Sequence, residues 1–184
     1  GPTKAPGLHR PFGKTYDNTV CLNAHVVIRG KTMPKIAFIG AGSTVFAKNV
    51  LGDCLLTDVL RDARISLIDV DPVRLRDSEA MVRNLSRTLG ASAAVEAFPA
   101  SEAERALAGA DYVVNAIQVG GYEPCTVTDF EIPKKYGLRQ TIGDTLGIGG
   151  IFRALRTIPV LLDYCRILER VAPGALLLNY TNPM

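Results

Sequence analysis

The chain has 184 residues, 47% hydrophobic and 21% charged, with a formal net charge of +3. That is the make-up of one ordinary globular domain, long enough to bury a substantial core. Collagen-like and disordered classes are excluded by unremarkable Gly (17) and Pro (11) counts beside a high apolar content. No run approaches the roughly 18 apolar residues that a membrane helix needs. Residues 1–32 carry five bases (Lys4, Arg10, Lys14, Arg29, Lys31) and one acid, Asp17, for +4; 16 bases and 17 acids remain, or −1, for residues 33–184. The body therefore shows no basic surface for nucleic acid or an anionic membrane.

Residues 1–32 show no helical period, no secretory h-region and no amphipathic presequence, and a strand-like run begins just after Met33. They read as an unstructured leader or non-native extension, with Met33 as the natural start. Cys21, Cys54, Cys125 and Cys165 include no CxxC pair and are too sparse for a disulfide scaffold. They are expected to be reduced thiols in a cytoplasmic protein.

The body alternates strand and helix signals. Lys35–Ile39 is a β-rich run closed by Gly40-Ala41-Gly42-Ser43. Phe46, Val50, Leu51 and Leu55 mark a helix, and Arg64–Asp69 a second strand. Asp71-Pro72 has the N-cap and N1 chemistry of a helix running through Val73, Met81, Leu85 and Leu89 to a stop at Gly90. Ala94–Phe98 is a weak third strand, and Ser101 with Glu104 has capping-box spacing for a short helix. Asp111–Val119 is nearly all apolar, as for a strand buried on both faces. A long loop follows, with a short helix predicted near residues 128–136. Ile151, Leu155, Ile158, Leu162 and Cys165 then form a helical stripe with Pro159 as a kink, and residues 175–179 a last strand. Such alternation predicts a doubly wound parallel sheet.

Gly40-x-Gly42 lies between strand and helix, the context of a dinucleotide fingerprint. Gly40 permits the tight turn, and Gly42 lets the backbone approach a pyrophosphate at a helix N-terminus. Val45 stands where a third glycine would allow closer packing; the alternative is a glycine turn without a ligand. Asp69 ends the second strand, where a carboxylate accepts the ribose hydroxyls of NAD; the alternative is a surface or capping carboxylate. Asn115 and Gln118, near the end of the fourth strand, are placed close to the cofactor, or else serve ordinary backbone bonding.

The runs KIAFIGAGSTVFAKNVLGD, LIDVDPVRL, GGYEPCTVTDFEIPKKYGLRQTIGDTLGIGGIFRALRTIP and LNYTNPM resemble glycoside hydrolase family 4, and within it the bacterial α-galactosidases of the melibiose type. The likeness spans Met33–Met184, and its GxGS variant absorbs Val45. It implies a Rossmann-like α/β domain for residues 33–184, incomplete before a C-terminal catalytic and metal-binding region. It also implies NAD and Mn²⁺ as cofactors, a glycoside substrate and a homo-oligomer when full length. The implied chemistry is transient oxidation at sugar C3, loss of the C2 proton, elimination, addition of water and return of the hydride, outside the two-carboxylate scheme of most glycosidases.

Position by position, the resemblance assigns Gly40, Gly42 and Ser43 to the pyrophosphate and Asp69 to the ribose. Asn182 faces the nicotinamide and the sugar; Asp144 touches the sugar, as does Arg153. The alternatives are an N-cap for Asp144 and a solvated face for Arg153 with Arg156. The metal ligands and tyrosine base of the family are expected downstream. Other family 4 α-glucosidases or 6-phospho-glycosidases are the near alternatives, and a non-catalytic NAD-binding fragment another. A lactate/malate-type dehydrogenase needs carboxylate-clamping arginines, whereas the loop GGYEPCTVTDFE has none.

Overall fold

A computed structural model of the chain describes residues 33–140 and 146–181. The reading of residues 1–32 as a leader, together with Asp144, Asn182 and Cys21, lies outside the described residues. Five parallel strands form one sheet in the order β3-β2-β1-β4-β5. They are β1 (Lys35–Ile39), β2 (Arg64–Asp69), β3 (Ala94–Pro99), β4 (Tyr112–Asn115) and β5 (Leu176–Asn179). The helices between them are α1 (Thr44–Leu56), α2 (Pro72–Thr88), α3 (Ala103–Leu107), α4 (Val127–Lys134) and α5 (Ile148–Val171). The chain winds outward from β1 to β3, then crosses to β4 on the other side, so the strand order reverses beside β1 and opens a crevice at the carboxyl ends of β1 and β4.

The period-2 geometry of the strands divides the core into two layers. Ile36, Phe38, Ile65, Leu67 and Val114 point to one face, packed with Ala47, Leu51 and Leu55 of α1 and Leu75 and Val82 of α2. Ala37, Ile39, Ile68 and Val113 point to the other, packed with Ala106 and Leu107 of α3 and Leu168 of α5. With helices on both faces, every residue of β1 is buried. Among the described residues no helix is long and apolar enough to cross a membrane.

Local signals place most boundaries. The Asp71 carboxylate accepts the amides of Val73 and Arg74 at 2.9 and 3.1 Å, and Pro72 opens α2. These amide donors hold the Asp71 carboxyl below the usual carboxylate range. At the other end Gly90 adopts φ +63°, its amide bonding to Arg87 O and that of Ala91 to Ser86 O, the paired closure of a Schellman motif.

Several expectations are corrected. Strand β4 stops at Asn115 rather than Val119: the Ala116 amide still reaches Ile39 O at 2.9 Å, and residues 116–120 then line the crevice instead of pairing with a neighbouring strand. The Ser101–Glu104 capping box does not form. A 3₁₀ turn over Ala100–Glu102 intervenes, so Glu102 takes the cap position, without a side-chain cap bond. On α2, Val73 is exposed, and the buried line is Leu75, Ser78, Val82 and Ser86, with Met81 and Leu85 partly buried. On α5, Ile151, Leu155, Ile158 and Leu162 are all exposed, while Gly149, Gly150, Thr157 and Leu168 face inward. The helix continues through Pro159.

Ser78 joins the α2 layer to the glycine turn. Its side chain is fully buried and its hydroxyl donates to Ala41 O at 2.7 Å. Ser78→Ala is expected to leave that carbonyl without its partner and to lower unfolding free energy by about 1–3 kcal/mol, measured by urea titration.

Candidate functional site

The turn after β1 is built by two strand ends and one helix. The amides of Gly40 and Ala41 both reach Ile68 O of β2, at 2.9 and 3.0 Å. Gly40 has φ +84°, and a Cβ there would lie 2.7 Å from Ala116 O, so only glycine fits between β1 and the start of the crevice wall. At Gly42 the backbone is ordinary, but a Cβ would lie 2.7 Å from Asp69 Oδ2. The Gly42 amide donates to that same oxygen at 2.6 Å, and the Asp71 amide to Asp69 Oδ1 at 2.9 Å. Each carboxylate oxygen thus accepts one backbone amide and retains a lone pair for a further donor. Gly42 is required for the approach of Asp69 as well as for any approach of a phosphate.

Ser43 is the N-cap residue of α1 and makes no side-chain cap bond. The first-turn amides of α1 have no intrahelical acceptor, which makes this end a site for negative charge. Val45, in the place of a third glycine, is 74% exposed. It therefore does not hold α1 away from the sheet, and Ala47 and Leu51 make the close contact instead.

These features line one cleft of about 650 Å³. Gly40, Gly42, Ser43 and Asp69 contribute to it, as expected, and so does Gln118 in the segment after β4. Residues not singled out in the sequence also line it, among them Arg74 in the first turn of α2, and Val160 and Tyr164 on α5. A signal for the latter two existed, since residues four apart share a helix face, but the outward stripe of α5 was the stronger pattern. Burial and then the Asp69 carboxylate push the Tyr164 phenol up, so it stays protonated near neutral pH.

Asn115 is not part of that lining. It is fully buried, and its Nδ2 donates to Asn179 Oδ1 at 2.8 Å and to Thr181 Oγ1 at 3.0 Å. Expected beside the cofactor, Asn115 ties the ends of β4 and β5 together through these bonds. The buried strand end leaves its amide facing the neighbouring strand, not the cleft. Arg153 is half-buried on α5 and likewise outside the cleft lining. Arg156 is not on a solvated face, because it makes a two-pronged pair with the buried Asp129 of α4, at 2.8 and 2.5 Å. That pair fastens α4 to α5.

A parallel sheet with a reversed strand order, a glycine turn leading into a helix and a carboxylate closing the second strand define a Rossmann-type α/β domain. Comparison with known proteins narrows this. The description "Family 4 glycosyl hydrolase" matches residues 35–184, and the chain belongs to that family. It is 60% identical over 152 residues to an α-galactosidase of Bacillus subtilis (strain 168), covering 83% of this chain and 35% of that protein. It is 42% identical over 153 residues to an α-galactosidase of Rhizobium meliloti (strain 1021), covering 82% of this chain and 30% of that one. Among solved structures it resembles the 6-phospho-β-glucosidase from Thermotoga maritima with manganese, NAD⁺ and glucose-6-phosphate, at TM-score 0.68 and 27% identity, over 82% of this chain and 34% of that chain. The chain thus spans about a third of the length of these relatives. Family membership replaces the dehydrogenase alternative.

The two glycines are expected to fail differently. Gly40→Ala forces a left-handed residue against backbone, costing at least about 1–2 kcal/mol of stability. Gly42→Ala has ordinary backbone dihedrals but pushes Asp69 aside, so nucleotide affinity should fall more steeply than the urea midpoint. Titrating both variants with NAD⁺ and with urea checks the contrast.

Proposed function

We propose that this chain is the nucleotide-binding part of an NAD-dependent family 4 α-galactosidase. The cleft at the glycine turn carries the cofactor half of that reading: Gly42 and Asp69 are in mutual contact, and Asp69 keeps one lone pair free on each oxygen. The galactoside half is supported by the 60% identity to the Bacillus subtilis α-galactosidase.

The residues present fit a dinucleotide. Gly40, Gly42 and Ser43 line a cradle whose two glycines admit no Cβ, since one would meet Ala116 O and the other Asp69, and the N-terminal end of α1 favours a pyrophosphate there. Asp69 accepts the two ribose hydroxyls and repels a 2′-phosphate. Gln118 and the wall from Ala116 to Gly120 exclude water from one side of the bound cofactor. Bound NAD⁺ supplies a reversible hydride acceptor for a sugar carbon, which acidifies the neighbouring C–H. Asp144 and Asn182 are proposed to hold the sugar hydroxyls, and Arg153 to assist from α5, as the family resemblance implies.

Among the described residues no three His, Cys, Asp or Glu side chains gather into a site for the divalent ion.

A calorimetric titration tests the cofactor assignment. The chain should prefer NAD⁺ to NADP⁺, and Asp69→Ala should weaken NAD⁺ binding by about 1.5–3 kcal/mol; equal affinities for the two nucleotides would refute it. The chemistry is tested in the full-length protein. Hydrolysis of an α-galactoside in D₂O should place deuterium at C2 of the released sugar, because oxidation and elimination break that C–H bond while direct displacement does not. Product fully protiated at C2 would refute the route.

A further inference from the structure

The carboxyl ends of β4 and β5 carry a polar network that packing alone does not call for. Asn115 is fully buried there, and its Oδ1 has no hydrogen-bond partner among the described residues. An unpaired buried amide oxygen costs stability, and an apolar side chain at this position would avoid that cost. What the residue supplies is its other end. Its Nδ2 donates to Asn179 Oδ1 at 2.8 Å and to Thr181 Oγ1 at 3.0 Å. Asn179 is the register partner of Asn115 on β5, and the same Asn179 oxygen accepts the Thr181 amide at 3.3 Å. That bond closes an Asx-type turn just past the strand. The Thr181 hydroxyl in turn donates to Ile117 O at 3.4 Å. Between them, the Tyr180 amide donates to Asn115 O at 2.8 Å, and the Tyr180 ring lies 5.4 Å from that of Phe46 on α1. The chain that has left β5 is therefore still held to β4, to the segment after β4 and to α1.

We propose that Asn115 is a positioning residue for the sugar chemistry, acting through Asn179 and Thr181 on the next residue in the chain, Asn182. The proposal rests on the family 4 reading, in which Asn182 holds the sugar. Asn115 itself touches neither cofactor nor sugar. A shift at Thr181 is passed through one peptide bond to Asn182, and a displacement of about 1 Å between reacting groups can cost on the order of 100-fold in rate. Rate, rather than cofactor affinity, is what the network protects, because Asn115 is absent from the cleft lining and the contacts between Gly42 and Asp69 do not pass through it. The cost of one unpaired buried oxygen is thereby offset by a fixed geometry after β5.

The test uses the full-length protein with NAD⁺, Mn²⁺ and 4-nitrophenyl α-galactoside, with turnover expressed per NAD⁺-binding site counted by calorimetric titration. Asn115→Leu keeps the branched outline and removes the donor; Thr181→Val removes the hydroxyl. Each should lower kcat per site by about 10- to 100-fold, with NAD⁺ affinity within about threefold of the unsubstituted value. Thr181→Ser keeps the hydroxyl and should hold kcat within about threefold. The double variant should be no slower than Asn115→Leu, because both substitutions remove the same bond. A residue that only stabilised the fold would change the number of NAD⁺-binding sites and leave turnover per site alone. Unchanged turnover per site, Thr181→Ser as slow as Thr181→Val, losses that multiply in the double variant, or NAD⁺ affinity falling in step with kcat would each overturn the proposal and leave the functional reading standing. Absence of NAD⁺-dependent hydrolysis by the unsubstituted full-length protein would overturn both.

Discussion

The contact between the Gly42 amide and the Asp69 carboxylate, at 2.6 Å, is the constraint on which the cleft depends. It joins the turn after β1 to the end of β2, and the second oxygen of the same carboxylate receives the amide of Asp71, one residue before α2. One side chain thus sets the spacing of three elements. Any Cβ at Gly42 would collide with it, so the glycine and the acid are a matched pair. Ser78 reinforces the arrangement from below through Ala41 O, and Gly40 closes it against Ala116. A site whose polar groups are already bonded to one another loses little freedom when a ligand arrives, which favours binding.

The crevice beside this turn follows from the sheet. Both faces of β1 are covered, so its hydrogen-bonding ends are the places where backbone meets solvent. Because β2 and β4 flank β1 with connections leaving in opposite directions, the loops after these strands diverge and leave space between them. Early termination of β4 belongs to the same geometry. A strand continued through Val119 would keep residues 117–119 in the ladder, whereas these residues line the opening. At its neighbouring edge, the hydrogen bonds from Asn115 Nδ2 to Asn179 Oδ1 and Thr181 Oγ1 hold the two strand ends in register.

Helix α5 serves two sides at once. Its inward residues meet the sheet and the cleft, and Arg156 grips Asp129 of α4 across 27 positions of chain. A paired, hydrogen-bonded carboxylate can remain buried where an isolated one would be costly. Its outward residues, Ile151, Leu155, Ile158 and Leu162, form the apolar stripe most legible in the sequence, yet this stripe is exposed. Hydrophobic periodicity shows that a helix has an apolar side; it does not show what that side meets.

The sequence by itself determined the features that depend on near neighbours in the chain. The β-rich runs Lys35–Ile39 and Arg64–Asp69, the Asp71-Pro72 start and the Gly90 stop of α2, and the glycine turn after β1 are all legible in residues close together in the chain. The long motif blocks also marked the family from the sequence alone. Tertiary structure decided which groups meet across distance: that the Gly42 amide donates to Asp69, that Asn115 bonds Asn179 and Thr181, and that Tyr164 borders the cleft. Residues 27 to 95 positions apart are brought together only by crossovers between strands, and local patterning carries no record of which face each crossover presents.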